Sequence, residues 1–216
     1  MLFQYTYLTR SAIRLVRFHP LSTPSDIHLT LEHQENFSSS EAQYTVLSCP
    51  HSDGESKSLT LHGRTRMVPA PVWDALSAIQ KHGDTQDQDR YWVNAVCVNP
   101  RDEDEKQYHV SQMEQIYASA QKVLAWSGQE DGHIENAGRK ADPKRMDDIK
   151  LDEKDRDAVR QLLQRKFSQQ DLALVRHAKH VELMCGKYRC DMGLVDHNLQ
   201  ANTPSNNSRR SSQAAL

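Results

Sequence analysis

The segment from Tyr91 to Trp126 constrains the fold more than any other. Tyr91 to Val98 (YWVNAVCV) is almost continuously apolar and β-favouring, which predicts a strand covered on both faces. Asp102 to Glu105 then place acidic side chains where the positive end of a helix dipole favours them. Val110, Met113, Ile116, Tyr117 and Ala120 recur every three or four residues and predict one apolar helical stripe. Lys122 to Trp126 (KVLAW) reads as another short apolar strand. Strand, helix, strand is a βαβ unit, the crossover that two parallel strands of one sheet require. The fold class that follows is α/β: a central, at least partly parallel sheet flanked by helices.

The segments upstream read mostly as strands. Ile13 to Phe18 (IRLVRF) alternates apolar with basic residues, as a half-buried strand does. Asp26 to Glu32 alternates again, and Tyr44 to Cys49 is a short apolar run stopped by Pro50. Leu59–Leu61 and Thr65–Val68 flank His62-Gly63-Arg64, which predicts a hairpin with Gly in its turn. Pro69 to His82 changes period: Val72, Ala75, Leu76 and Ile79 lie at helical spacing behind an opening Pro. Gly83 is the expected stop.

Four stretches follow from these patterns. Residues 1–128 form the core. Residues 129–154 are charged, without a clear period, and read as a loop or linker. Residues 155–190 hold a helix over Asp155 to Lys179, with Val159, Leu162, Leu163 and Phe167 on one face, and a last strand over His180 to Met184. Residues 191–216 are a polar tail; from Asp196 onward it has too little apolar surface to order itself.

Charge and cysteine usage narrow the function classes. With 27 Lys and Arg against 29 Asp and Glu, the chain has no basic excess for general nucleic-acid binding. No apolar run approaches the roughly 20 residues a membrane helix needs. Gln4, Thr6 and Thr9 interrupt the start, so no secretory core forms. The expectation is a soluble cytoplasmic protein. The four cysteines are scattered, and Cys185 and Cys190 form no CxxC pair, so neither a disulfide framework nor a metal site is expected.

Several blocks together resemble the fungal heterokaryon-incompatibility (HET) domain. That family's pattern runs Tyr-x-Ala-Leu-Ser-Tyr-x-Trp-Gly, a helix, and Trp-Ile-Asp-Ala-Ile-Cys-Ile-Asn-Gln. A Glu-Arg pair, Met-x-x-Ile-Tyr-x-x-Ala and a strand ending Trp-Leu-Gly complete it. Here the first block is Tyr44-Thr45-Val46-Leu47-Ser48-Cys49-Pro50-His51-Ser52. The second begins Trp92-Val93-Asn94-Ala95 and continues Val96-Cys97-Val98-Asn99-Pro100. Glu105-Lys106 follows, then Met113, Ile116, Tyr117 and Ala120 at the family spacing, and Trp126-Ser127-Gly128. The chain departs from the pattern at His51 and Ser52 for Trp-Gly, Asn94 for Asp, Pro100 for Gln, His109 for a usual Gln, and Ser127 for Leu. The later Trp-x-x-Gln-Glu block is missing between Phe167 and Ala178.

The resemblance implies a HET/TIR-like fold and a role in fungal non-self recognition and programmed cell death. Its implied partners are other HET-type or signalling proteins, or a second copy of the chain. HET domains are distantly similar to TIR domains, some of which cleave NAD with a carboxylate. Glu105 matches the family's acid, so the enzymatic alternative is an NAD hydrolase with Glu105 as its catalytic residue. NAD would be its substrate; no bound cofactor is implied. A cleft setting Glu105 beside Asn94 and Asn99 would support it. A third alternative is an inactive copy or decoy that binds an intact relative.

Each of these residues also has a structural explanation. Glu105 in a first helical turn stabilises the dipole by a few tenths to about 1 kcal/mol. Asn94, expected inside the strand, keeps the shape of Asp and loses its charge. Cys97 reads as a core thiol with a raised pKa. Trp92, Met113, Tyr117 and Trp126 read as core. Ser48 and His51 suggest a hydrolase, but no Gly-x-Ser-x-Gly elbow or third partner accompanies them.

Overall fold

The computed structural model describes residues 3–39, 43–51, 54–82, 89–128, 157, 161–164, 166–186 and 188–192. The expected linker over 129–154, the tail from 193 onward and the stop at Gly83 lie outside them. Among the described residues one sheet of nine strands has the order β5-β4-β2-β1-β6-β3-β7-β8-β9.

The N-terminal strands are β1 (Ile13–Phe18), β2 (His28–Gln34), β3 (Thr45–Ser48), β4 (Ser56–Leu61) and β5 (Arg64–Pro69). β1 and β2 run antiparallel, as do β4 and β5, while β2 and β4 are parallel. The expected hairpin turns at His62 and Gly63, with φ of 48° and 72°. Two positive φ values define the type I′ turn whose twist matches its strands. His62 tolerates this because it is held: Leu31 N–H donates to its Nε2, and the Phe3 ring stacks on it at 5.8 Å.

Helix α1 (Ala70–Lys81) buries Val72, Ala75, Leu76 and Ile79, the stripe its spacing predicts. Strand β6 is only Tyr91–Trp92, and Asn94–Cys97 makes a one-turn helix, α2. This corrects the long strand expected to Val98. A continuous apolar run fits a buried turn as well as a buried strand, because neither leaves a polar face to set the period. Asn94 is therefore exposed at the start of a turn and not inside a strand.

Helix α3 (Glu103–Ser119) starts as its acidic turn predicts, and Asp102 caps it by accepting from Glu105 N–H. Its inner face carries His109, Ile116 and Tyr117, with Met113 partly buried. Val110 was expected on that face but is 62% exposed. One residue turns about 100°, so His109 displaces Val110 from the stripe. Strand β7 (Lys122–Gly128) follows.

Residues 161–164 are helical, and a separate helix, α4 (Gln169–Val175), begins at a capping box between Ser168 and Asp171. The box restarts the helix, which divides the single run expected over Asp155 to Lys179. Strand β8 (Val181–Cys185) is the expected last strand, and β9 (Tyr188–Asp191) was not expected.

β6, β3, β7 and β8 form the parallel half. Numbered along the chain, that order is 2-1-3-4, as in doubly wound sheets of the flavodoxin type. β3 and β6 are direct neighbours, so the two motif blocks share one sheet. The antiparallel half curls: β5, at the end of the order, touches α2 beside β6. The largest core cluster spans both halves and includes Ile13, Tyr44, Val46, Leu76, Trp92 and Ile116.

Candidate functional site

Arg14, like Asn94 and Val110, lies where the local pattern does not put it. On a half-buried strand it should face water, yet it is 1% exposed at the centre of the sheet. Its guanidinium makes a two-pronged pair with Glu105, Nη1 to Oε1 at 2.6 Å and Nη2 to Oε2 at 3.0 Å. Nη1 also donates to Cys97 O and Nη2 to Thr6 O. The Tyr5 ring lies 4.9 Å from the guanidinium carbon. A buried charge persists only when paired and hydrogen-bonded in this way. The signal in the sequence was a basic residue between Ile13 and Leu15 with an acid ahead of a helix.

Glu105 is the other half of this knot. Oε1 also accepts from Asn99 N–H at 2.7 Å. Burial alone would raise its pKa. The Arg14 hydrogen bonds, the Asn99 N–H and the charge of Arg14 outweigh burial and hold the carboxyl below its usual range. The group is a carboxylate at neutral pH, with both oxygens engaged. It ties β1, the loop after α2 and the first turn of α3 together.

His109, one turn further, is 2% exposed, and neither ring nitrogen has a hydrogen-bond partner. Burial and the charge of Arg14 lower its pKa, against the pull of Glu105, and keep the ring neutral. A cavity of about 360 Å³ lies beside these groups, with Tyr7, Asp102, Glu105, Tyr108 and His109 in its walls.

A second site lies at the carboxyl ends of β3 and β6, where open α/β sheets bind ligands. This crevice of about 160 Å³ is lined by Ser48, His51, Asn94, Met113, Tyr117 and Asp171, among others. Tyr117 Oη donates to Ser48 Oγ at 3.3 Å, and its ring meets Trp92 edge-on at 6.3 Å. Burial pushes the Tyr117 phenol up to about 12. Asp171 is an acid in the same crevice as Ser48 and His51, but its carboxylate accepts from Ser168 in the α4 capping box. Two of the altered family positions, His51 and Asn94, line this one crevice.

The structure thus divides the predicted residues. Glu105 and Asn99 meet, whereas Asn94 lines the other site. Tyr44 is core, its hydroxyl donating to Ile116 O, and Leu47 and Trp126 are buried. Cys97 is fully buried; burial raises its thiol to about 12, and Val93 N–H donates to Sγ. A thiol so protonated is no nucleophile. Gly128, at φ 112°, sits at a register shift between β7 and β8 and accepts from Gly186 N–H. Among the described residues no group of three or more His, Cys, Asp or Glu could hold a metal, and no helix is long and apolar enough to cross a membrane.

These features define an α/β module, a mixed sheet flanked by helices, with an internal ion-pair knot and a small crevice at the ends of its parallel strands. The sequence model described as "Heterokaryon incompatibility protein (HET)" matches residues 36–184, well over half of the chain. The chain belongs to the HET family. Comparison with curated proteins and with solved structures gives no match.

Proposed function

We propose that this chain is a heterokaryon-incompatibility effector of fungal non-self recognition, which promotes programmed cell death through protein contact. The observation that carries the choice of contact over catalysis is the state of Glu105. Both its oxygens are held by Arg14 and Asn99 N–H, and its pKa is lowered. A general acid needs a proton, and a base or nucleophile needs a free lone pair aimed at substrate. The cavity beside Glu105 measures about 360 Å³, within the roughly 300–1,000 Å³ of small-molecule sites, so it is the engagement of the carboxylate and not a lack of space that favours contact.

The test is induced expression in a filamentous fungus with viability and NAD followed together. The reading expects death while NAD stays at control levels. Collapse of NAD before death would favour the hydrolase; normal growth at confirmed expression would remove the effector reading.

A second reading, a decoy that binds an intact relative, is favoured by the convergence of His51 and Asn94 on one crevice. A version with His51→Trp, Ser52→Gly, Asn94→Asp and Pro100→Gln tests it. Death with that version alone would mark the native chain as the decoy.

A further inference from the structure

The largest cavity among those described is separate from the strand-end crevice and shares only Tyr5 and Asn99 with the cavity beside Glu105. It measures about 510 Å³ and runs between Thr65–Met67 of β5 and the N-terminal segment Phe3–Tyr5, beside Asn99 to Arg101. Successive strand side chains point to opposite faces. Three consecutive β5 residues can line one space only if it follows the outer edge of the strand. The hairpin register says the same. Leu61 and Arg64 flank a two-residue turn and form a hydrogen-bonded pair. Pair types alternate, so Thr65 and Met67 turn their backbone N–H and C=O away from β4. Among the described residues no strand pairs with that edge.

The opposite wall is fixed. Phe3 stacks on His62, Tyr5 Oη donates to Val96 O, and Arg14 lies over the Tyr5 ring. The charged residues lining the slot are Arg66 and Arg101, and no acid lines it. Arg66 Nε is buried with no hydrogen-bond partner. Met67 is 55% exposed at the margin. An open, basic strand edge invites an extended chain of opposite charge. A second copy of β5 fits poorly, because it would bring Arg66 against its own kind.

We propose that this slot takes an extended acidic peptide of a partner protein. The peptide adds as a strand to β5 and sets its carboxylates against Arg66 and Arg101. The inference rests on the contact reading above and names the chemistry of the partner.

The experiment titrates the full chain into a short fluorescein-labelled peptide that alternates Glu with Val, and follows anisotropy. Native protein binds it, and a Lys-for-Glu peptide does not bind. Met67→Pro removes one outward N–H and no bond to β4, as edge strands allow. It weakens binding by about tenfold or more at an unchanged melting temperature. Arg66→Gln weakens binding and flattens its salt dependence. Should Met67→Pro fail to fold, amide shifts in the native protein replace it; they must centre on Thr65 and Met67. No binding by native chain, equal binding of the Lys peptide, indifference to Met67→Pro, or shifts elsewhere would overturn the proposal. So would a single-stranded oligonucleotide that binds equally well and ignores Met67→Pro. Binding without cell death supports the slot and counts against the effector reading; cell death without binding does the reverse.

Discussion

The two ends of α3 do opposite work. At its first turn, Glu105 has both oxygens engaged by Arg14 and the Asn99 N–H, with the guanidinium itself buried. About 18 Å further along the axis, Tyr117 faces a small crevice with one weak hydroxyl contact to Ser48. Both ends carry residues of the family pattern. Only the first is held so tightly that removing one group leaves an orphaned charge. A family-matching carboxylate is thus not a reactive one by virtue of its position; its partners decide.

The sharpest way to break this comparison is to remove one partner. Glu105→Ala leaves Arg14 buried and unpaired, and should cost about 3–5 kcal/mol in urea unfolding. Replacing both, as Arg14→Met with Glu105→Gln, should cost far less, because Gln still accepts from Asn99 N–H and no charge is stranded. Similar losses for both would contradict the knot.

Next in size is Tyr117→Phe at the other end. It removes the contact to Ser48 and keeps the ring against Trp92, so unfolding should shift by about 0.5–1.5 kcal/mol. A loss as large as that of Glu105→Ala would erase the contrast. Asn94→Asp, on an exposed residue, should stay within about 0.5 kcal/mol.

Acid sharpens the contrast further. His109 has a lowered folded pKa, so its stabilising share is complete above the unfolded value of about 6.5 and is lost as pH falls toward the folded one. Glu105 is also lowered, and its share is lost only below about 4.3. Thermal melts across pH should therefore weaken in two windows. His109→Leu should abolish the upper one and leave the lower, at little cost near neutrality, since its ring nitrogens lack partners. An unchanged upper window would assign the slope to other groups.

Much of the frame was legible because local patterns and tertiary demands agree. The α1 stripe, the hairpin at His62-Gly63, the acidic start of α3 and the β3 and β7 runs all lie where their spacing puts them. What stayed hidden depended on long-range partners. Arg14 looks like a surface residue until Glu105, 91 positions away, is beside it. The turn at Asn94–Cys97 hides in an apolar run, because burial on every side removes the periodic cue. His109 in place of Val110 shows that polar residues can occupy a core face that pattern reading reserves for apolar ones. The slot beside β5 arises because a distant strand curls back, which no local window encodes.

The most direct measurement is fungal viability under induced expression of Arg14→Met with Glu105→Gln, beside the native chain, with protein level and NAD followed in both. The account predicts that the pair variant accumulates and kills like the native chain, at unchanged NAD. A variant that accumulates and folds normally, while its cells grow as freely as uninduced ones, would contradict it and return Glu105 to catalysis.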